Sequence, residues 1–240
     1  FSYVRSNGLR ALELNGDDRL IGVAITDGEQ QIMLFSNEGK AIRFAETDVR
    51  SMGRSAKGVR GMRVTIGASQ VEETEENDVD VEDEDNSDSV VISRIVSLVV
   101  VPETGEVLCA SEHGYGKRTP VDDFPTKKRG GKGVIALKTS ERNGELIGAV
   151  SIDASKELML ISDGGTLVRT RASEVAQTGR NAQGVRLIRL SNDELLVGVV
   201  SVDAVEDEEL EGIDVVENTV VEAITSEEVS SEPKDDTTEE

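Results

Sequence analysis

The segment Leu158-Met-Leu-Ile-Ser-Asp-Gly-Gly-Thr-Leu-Val-Arg-Thr170 contains two short apolar runs on either side of an Asp-Gly-Gly turn. Aliphatic runs of this length favour β-strands, and Asp-Gly pairs favour the positive φ values of tight hairpin turns. Two further apolar runs precede this segment, at residues 134–138 and 146–152, and Asn143-Gly144 lies between them. The stretch therefore predicts four antiparallel strands joined by short turns within about 50 residues.

The same pattern recurs along the chain with a fixed spacing. Each copy has a leading glycine, an arginine four residues after it (the closing arginine), and a Gly-Val pair 19 residues after it. The leading glycines are Gly39, Gly114 and Gly165, the closing arginines are Arg43, Arg118 and Arg169, and the pairs begin at Gly58, Gly133 and Gly184. The leading glycines are 75 and then 51 residues apart, so the second copy carries an insertion. Four-stranded repeats of this period are typical of propeller blades, and we predict an all-β, propeller-like fold.

Two acidic segments account for the net charge of −22. Residues 71–89 contain 11 acidic side chains and no basic one, and residues 203–240 contain 16 acidic side chains and one lysine. The remaining residues, 21 acidic and 25 basic, are mildly basic. Because highly charged segments cannot form a core, we predict a disordered insert at about residues 67–92 and a disordered tail at 203–240. The blades are predicted to span residues 1–202, as a fragment of a larger array whose first blade is missing.

The residue types that most enzymes and metal sites require are scarce. His113 is the only histidine and Cys109 the only cysteine, so we expect no zinc site, no Cys/His dyad and no catalytic residues. We expect His113 in a turn and Cys109 buried in a strand, and a single cysteine fits a reducing cytoplasm. The chain also contains no apolar run of about 20 residues, so no membrane partner is expected.

A polyanion-binding function is indicated by the distribution of basic residues. The segment Lys127-Lys-Arg-Gly-Gly-Lys-Gly133, which we call the basic loop, combines four cations with three glycines. Other cations lie at matching places in the repeats, and equivalent positions of neighbouring blades lie along one edge. We therefore predict a curved basic stripe that binds duplex DNA without reading its bases. The predicted contact residues are Lys40, Arg43, Arg54, Lys57, Lys117, Arg118, Lys127, Lys128, Arg129, Lys132, Arg169, Arg171 and Arg180. The alternative is that these cations are solvated or pair with nearby acids such as Asp122 and Asp123.

From residue 20 to residue 202 the chain resembles the C-terminal DNA-wrapping domain of bacterial DNA gyrase A. The resemblance is carried by Glu38-Gly-Lys-Ala-Ile-Arg-Phe44, Val49-Arg-Ser-Met-Gly53, Gly58-Val-Arg-Gly61, Gly114-Tyr-Gly-Lys-Arg-Thr119, residues 139–148 and Gly165-Thr-Leu-Val-Arg-Thr-Arg171. It implies a β-pinwheel, in which neighbouring four-stranded blades exchange strands. It also implies a basic perimeter that wraps duplex DNA, so that an ATP-dependent type II topoisomerase can introduce negative supercoils.

The resemblance further implies the partners and the location of the chemistry. The partners would be the rest of gyrase A and its companion gyrase B, in an A2B2 assembly of the bacterial cytoplasm. ATP and Mg²⁺ would be used elsewhere in that assembly, so no cofactor is expected in this chain. The family has a Gln-Arg-Arg-Gly-Gly-Lys-Gly type box in its first blade, whereas the similar basic loop lies in a later repeat here. The equivalent domain of topoisomerase IV and a protein-binding propeller remain as alternatives.

Overall fold

The computed structural model describes residues 6–16, 18–64, 66–68, 90–102, 104–191 and 193–204. Within these residues the regular structure consists of β-strands and three 3₁₀ turns, which agrees with the all-β prediction. Residues 69–89 and 205–240, which contain most of the predicted acidic insert and tail, lie outside the described residues.

The described residues contain thirteen strands. They are β1 (Gln31–Ser36), β2 (Lys40–Ala45), β3 (Ile66–Ala68), β4 (Val90–Ile92), β5 (Ile95–Val101), β6 (Glu106–Ser111), β7 (Tyr115–Pro120), β8 (Val134–Ile135), β9 (Leu146–Ile152), β10 (Lys156–Ser162), β11 (Leu167–Arg171), β12 (Val185–Arg186) and β13 (Leu196–Asp203). The 3₁₀ turns are Glu46–Asp48, Val121–Asp123 and Ala172–Glu174, and each follows the second strand of a hairpin.

Eleven of these strands form three sheets with the same plan, which we call blades 1, 2 and 3, and β3 and β4 pair with each other. Blade 1 has the order β5-β1-β2-β8, blade 2 has the order β9-β6-β7-β12, and blade 3 has the order β13-β10-β11. All neighbouring strands in these sheets are antiparallel. The hairpins β1–β2, β6–β7 and β10–β11 occupy the middle of each blade, and the turn at Asp163-Gly164-Gly165 is the predicted hairpin turn.

Each complete blade contains strands from successive repeats, as the resemblance implies. Strand β8 follows the hairpin of blade 2 in the chain, but it pairs with β2 of blade 1. Strand β12 follows the hairpin of blade 3, but it pairs with β7 of blade 2. The interpretation of Asn143-Gly144 as a hairpin turn is therefore wrong, because β8 and β9 on either side of it belong to different sheets. Sequence periodicity identifies strands but not their partners.

One element of the repeat does not form a strand, and one further prediction requires correction. The apolar tetrad at residues 20–23 occupies the same place before its leading glycine as the runs in β5 and β9, but residues 18–27 contain no strand. The composition of the insert predicts disorder from about residue 67 to residue 92, but β3 and β4 form an antiparallel pair at its two ends. The insert therefore leaves and rejoins the blades through a short two-stranded ladder.

The hydrophobic core lies between the blades. Met33 and Phe35 of blade 1 are fully buried against a cluster that includes Cys109 of blade 2, which confirms the burial predicted for the thiol. Leu108, the neighbour of Cys109 on β6, faces the other way and packs with Leu158 of blade 3. Because successive side chains of a strand point to opposite faces of its sheet, blade 2 buries one face against each neighbour. This stacking places the outer strands of successive blades side by side.

Candidate nucleic-acid interface

The basic loop lies along the outer edge of blade 1, although it belongs to the second repeat. Its first residue, Lys127, donates its backbone N–H to the carbonyl of Arg43 on β2 at 2.8 Å. At its centre the carbonyl of Gly131 accepts a hydrogen bond of 2.8 Å from the backbone N–H of Arg63. The loop then continues into β8, which pairs with Lys40 and Ala41. The loop is therefore fixed between β2 and the segment at residues 60–63.

Gly133 allows the close approach of the loop to blade 1. Its φ is +83°, a left-handed conformation, and a Cβ atom at this position would lie 2.5 Å from the carbonyl oxygen of Ala41. Side chains other than glycine disfavour this φ, and the neighbouring backbone leaves no space for one. The glycine therefore permits the turn that leads into β8.

Arg129 stabilises the loop from inside. Its Nε donates to the carbonyl of Asp48 at 2.9 Å, and its Nη1 donates to the carbonyl of Arg60 at 3.0 Å. Lys127, Lys128 and Lys132 are exposed, and none of the three forms an ion pair within the described part of the chain. The loop thus presents three ammonium groups to solvent on a backbone that Arg129 helps to fix.

The outer edges of blades 1 and 2 are continuous with each other. Arg180, which lies in the loop before β12, donates from Nη1 to the carbonyl of Ile135 on β8 at 3.2 Å. Just beyond β8, the backbone N–H of Lys138 donates to the carbonyl of Ala182 at 3.2 Å. The chain before β12 therefore lies against β8, and the basic loop and Arg180 belong to one edge.

Two closing arginines connect neighbouring blades and are not free to bind a polyanion. Arg43 is 9% exposed, and its Nη1 donates to the carbonyls of Val121 and Phe124 in the 3₁₀ turn that follows blade 2. Arg118 donates to the carbonyl of Val175 in the next such turn and forms an ion pair of 2.6 Å with Glu106. The structure therefore contradicts the direct phosphate contacts predicted for Arg43 and Arg118.

The contact predicted for Lys117 is contradicted for a similar reason. Its side chain is fully buried, and its Nζ donates to the carbonyls of Gly179 and Arg180, each at 2.6 Å. Burial lowers the pKa of Lys117 to about 8, since the charged ammonium is separated from water. Lys117 therefore anchors the loop that carries Arg180.

The remaining predicted residues fall into two groups. Arg54, Lys57 and Arg171 are exposed and form no ion pair with another described residue. Lys40 lies 3.5 Å from Glu38 across the leading glycine, and Arg169 is exposed but pairs with Glu157. With Arg118, which pairs with Glu106, acidic neighbours therefore partly neutralise three of the thirteen predicted cations.

The structure also identifies exposed cations that the sequence prediction omitted. Arg60 and Arg63 lie beside the basic loop, as their backbone hydrogen bonds to Arg129 and Gly131 show. Arg63, Lys138 and Arg189 are exposed and each lies five residues after a repeat Gly. That spacing is readable in the sequence and could have identified all three.

No helix of the described residues is long and apolar enough to cross a membrane. In the same residues there is also no group of three histidine, cysteine or acidic side chains that could hold a metal ion.

Comparison with known proteins assigns the chain to a family. The model of the family described as "DNA gyrase C-terminal domain, beta-propeller" matches residues 4–27, 30–77, 105–153 and 156–203. DNA gyrase A of Haemophilus influenzae is 50% identical over 217 residues, which cover 88% of this chain and 24% of that protein. DNA gyrase A of Pseudomonas aeruginosa is 51% identical over 200 residues, which cover 83% of this chain and 19% of that protein. The chain therefore spans about a quarter or less of the length of these relatives.

Solved structures agree with this assignment. The structure of a DNA gyrase A C-terminal domain superposes with a TM-score of 0.66 at 26% identity, covering 81% of this chain and 58% of that one. The C-terminal domain of DNA topoisomerase IV superposes with a TM-score of 0.68, covering 82% of this chain and 54% of that one, but its 21% identity supports the fold alone. The sequence match, the exchange of strands between blades and the structural match lead to one conclusion: this chain belongs to the family of DNA gyrase C-terminal domains with the β-propeller architecture.

Proposed function

We propose that this chain binds duplex DNA along the outer edges of its blades and bends it around them. Within gyrase, this wrapping would present a DNA crossover to the strand-passing machinery, so that the ATP-dependent enzyme introduces negative supercoils. The partners are the rest of gyrase A and gyrase B. The chain itself contributes no catalytic group and no cofactor to this reaction, and ATP and Mg²⁺ act elsewhere in the enzyme.

The observation that carries the proposal is the continuity of the outer edge. The ammonium groups of Lys127, Lys128 and Lys132 project from blade 1, and the guanidinium of Arg180 contacts β8 from the adjoining loop. Duplex DNA carries one negative charge about every 1.7 Å along its axis, so cations along such an edge can contact successive phosphates. No base-reading element is needed for this contact, and little sequence preference is expected.

Binding to a linear duplex at several salt concentrations tests the proposal. If the basic loop contacts phosphates, the Lys127→Ala/Lys132→Ala variant should bind more weakly. The slope of log K against log salt should become less steep by about 2, since each lost phosphate contact removes about 0.9. The Arg94→Ala/Lys156→Ala variant is the matched control, because it also removes two positive charges but from residues paired with Glu145 and Asp203.

The control should keep the wild-type slope. If both variants lost the same duplex affinity and salt slope, binding would depend only on the net charge of the chain, and the basic loop would not be a contact site. Wrapping is tested separately by sealing a nicked circle in the presence of the chain and reading the linking number of the product. A relaxed product would contradict chiral wrapping even if the duplex is bound.

The sequence relatives favour gyrase over topoisomerase IV. The two gyrase A relatives are 50% and 51% identical to this chain, whereas the topoisomerase IV domain is 21% identical. A supercoiling assay of a gyrase A protein that carries this domain, reconstituted with gyrase B, separates the two activities. Only gyrase would introduce negative supercoils into a relaxed circle.

A further inference from the structure

Blade 2 carries a basic groove that the predicted stripe did not include. The groove has a volume of about 480 Å³ and is lined by Tyr115, Arg142, Arg186, Leu187, Ile188 and Arg189. Three of the six lining residues are arginines, and none is acidic. A second groove of about 550 Å³ overlaps this one: it shares Tyr115 and the three arginines, and its lining adds Asp193 and Glu194.

Tyr115 holds two of the arginines in place. Arg186 is the direct partner of Tyr115 across the β12–β7 ladder, and its Nη2 donates to the tyrosine hydroxyl at 2.9 Å. The guanidinium carbon of Arg142 lies 4.8 Å from the centre of the tyrosine ring, and that of Arg186 lies 5.5 Å from it. The tyrosine is 7% exposed, whereas both arginines are exposed. A buried aromatic ring therefore brings two exposed guanidinium groups together.

The charges of these arginines are not neutralised by the described acidic residues. Arg142, Arg186 and Arg189 form no ion pair with any of them. Glu194, in the overlapping groove, accepts hydrogen bonds from Ser162 and from the backbone of Ser191, which lower its pKa to about 2. Like-charged guanidinium groups repel each other, so an anion between them would be stabilised.

In blade 1 the cation at the equivalent position has an acidic neighbour. Lys40 and Ile135 are the cross-strand partners that correspond to Tyr115 and Arg186 one repeat later. Lys40 lies 3.5 Å from Glu38, whereas the residue equivalent to Glu38 in blade 2 is His113. Each blade therefore has one cation in this pair, Lys40 or Arg186, but only blade 1 has an acidic residue at the place of Glu38.

We propose that Arg142 and Arg186, held by Tyr115, form a phosphate-binding site at the outer edge of blade 2, and that its ligand is a backbone phosphate of duplex DNA. The proposal rests on the proposed function, because it takes the duplex that contacts the basic loop on blade 1 as the source of the phosphate. Strand β12, which carries Arg186, is the repeat equivalent of β8, which follows the basic loop. A duplex that follows the outer edges from blade 1 would next meet this site. Guanidinium groups suit the site, since they bind phosphate oxygens with paired hydrogen bonds.

The phenol of Tyr115 provides a local readout. Hydrogen bonds from Arg186 and then Arg142 lower the pKa of Tyr115 below its ordinary value, because the site stabilises negative charge on the phenol oxygen. A phosphate bound between the arginines would oppose the phenolate and raise that pKa. The only other tyrosine is Tyr3, so a Tyr3→Phe background isolates the phenolate absorbance of Tyr115. Tyr115→Phe in the same background confirms the assignment of the signal.

The test titrates that absorbance against pH with the chain alone, with a short duplex and with inorganic phosphate. We expect the duplex to raise the pKa of Tyr115 at concentrations at which inorganic phosphate does not. An equal shift from both at equal phosphate concentration would show that the site takes free phosphate, and it would overturn the assignment to DNA. No shift with either ligand would overturn the site itself.

A second measurement distinguishes failure of this phosphate site from failure of the proposed function. The Arg142→Ala/Arg186→Ala variant should reduce the salt slope of duplex binding by about 2, while Arg94→Ala/Lys156→Ala should leave it unchanged. If the wild-type chain binds the duplex and the Arg142 and Arg186 variant keeps its slope, the site is wrong and the proposed function stands. If the wild-type chain does not bind the duplex at all, the proposed function is wrong.

Discussion

Lys117 and Gly179 are joined by a hydrogen bond of 2.6 Å from the ammonium group of one to the carbonyl of the other. The lysine lies on β7 in the middle of blade 2, and the glycine lies in the loop that leads to the outer strand of the same blade. A fully buried lysine thus holds an exposed loop by its backbone. Lys117 is one of the predicted polyanion contacts, but in the structure it fixes the loop that carries Arg180, another predicted contact.

The buried ammonium of Lys117 should make stability depend on pH. Its pKa is about 8 in the folded chain and would be near 10.4 when unfolded, so the unfolded chain binds more protons between these values. The contribution of Lys117 to the free energy of unfolding should therefore rise with pH from about 8 to about 10.4, by up to about 3 kcal/mol. Below pH 8 both states are protonated, and the cost of burying the charge is fully present. Cys109 and Tyr115 also titrate differently in the folded and unfolded chain, so the measurement is the difference in urea unfolding free energy between the wild type and Lys117→Met, which should rise across this range.

Arg118 should stabilise the contact between blades 2 and 3 through its hydrogen bond to Val175, while Glu106 of its own blade holds the guanidinium in place. Replacing Arg118 by alanine removes the ion pair with Glu106 and the hydrogen bond to Val175, and it leaves a half-buried carboxylate unpaired. We expect a loss of about 2–4 kcal/mol in the free energy of urea unfolding. Arg169→Ala is the matched control, because it lies one repeat later, is exposed and pairs with Glu157, so it should cost less than about 1 kcal/mol. Equal costs would contradict the role of Arg118 between the blades.

Gly133→Ala should disturb both stability and DNA binding. The new Cβ would adopt an unfavourable φ and lie 2.5 Å from the carbonyl oxygen of Ala41, so β8 would have to leave β2. We expect a loss of at least about 2 kcal/mol in unfolding free energy, together with weaker duplex binding. Gly179→Ala is the control, since a Cβ atom added there would meet no packed neighbour within 4 Å and its φ is not positive. It should change stability by less than about 0.5 kcal/mol.

The exposed cations five residues after each repeat glycine should each add an equal amount to the salt slope of duplex binding. If Arg63, Lys138 and Arg189 each contact a phosphate, the three alanine variants should each reduce the salt slope by about 0.9. The triple variant should reduce it by close to three times that amount, because the residues lie on different segments. Fluorescence anisotropy of a labelled duplex would measure the slopes. If only one of the three variants reduced the salt slope, only the segment that carries that residue would contact the duplex.

The thiol of Cys109 should react only when the chain unfolds. Burial raises the pKa of Cys109 to about 12, and the side chain is fully buried between blades 1 and 2. At pH 8 the thiolate fraction is then about three orders of magnitude lower than that of an exposed cysteine. Labelling with a chromogenic disulfide reagent in increasing urea should follow the unfolding transition. Fast labelling without urea would show that the two blades separate in the folded chain.

Much of the fold could be predicted because the strands and hairpin turns depend on the order of residues that are close together in the chain. The hairpin at Asp163-Gly164-Gly165 depends on residues that are adjacent in the chain, and the repeat multiplies that information. The partner of β8 could not be derived in the same way. Its pairing with β2 joins Ile135 to Lys40, which are far apart in the chain, and apolar runs carry no signal that chooses one sheet edge over another. The exchange of strands between blades could be predicted only from the resemblance to the family.

The sequence by itself determined the positions of the repeated cations, the boundaries of the repeats and the family. Tertiary structure decided which of those cations meet solvent. Arg43, Arg118 and Arg169 occupy the same place in the repeat, yet the first is buried, the second is half-buried and the third is exposed. The physical reason is that the 3₁₀ turn after the next hairpin supplies buried carbonyls to Arg43 and Arg118, whereas Arg169 contacts no such turn among the described residues. A charge is bound by the nearest available acceptor, and only packing of the blades determines which acceptor that is.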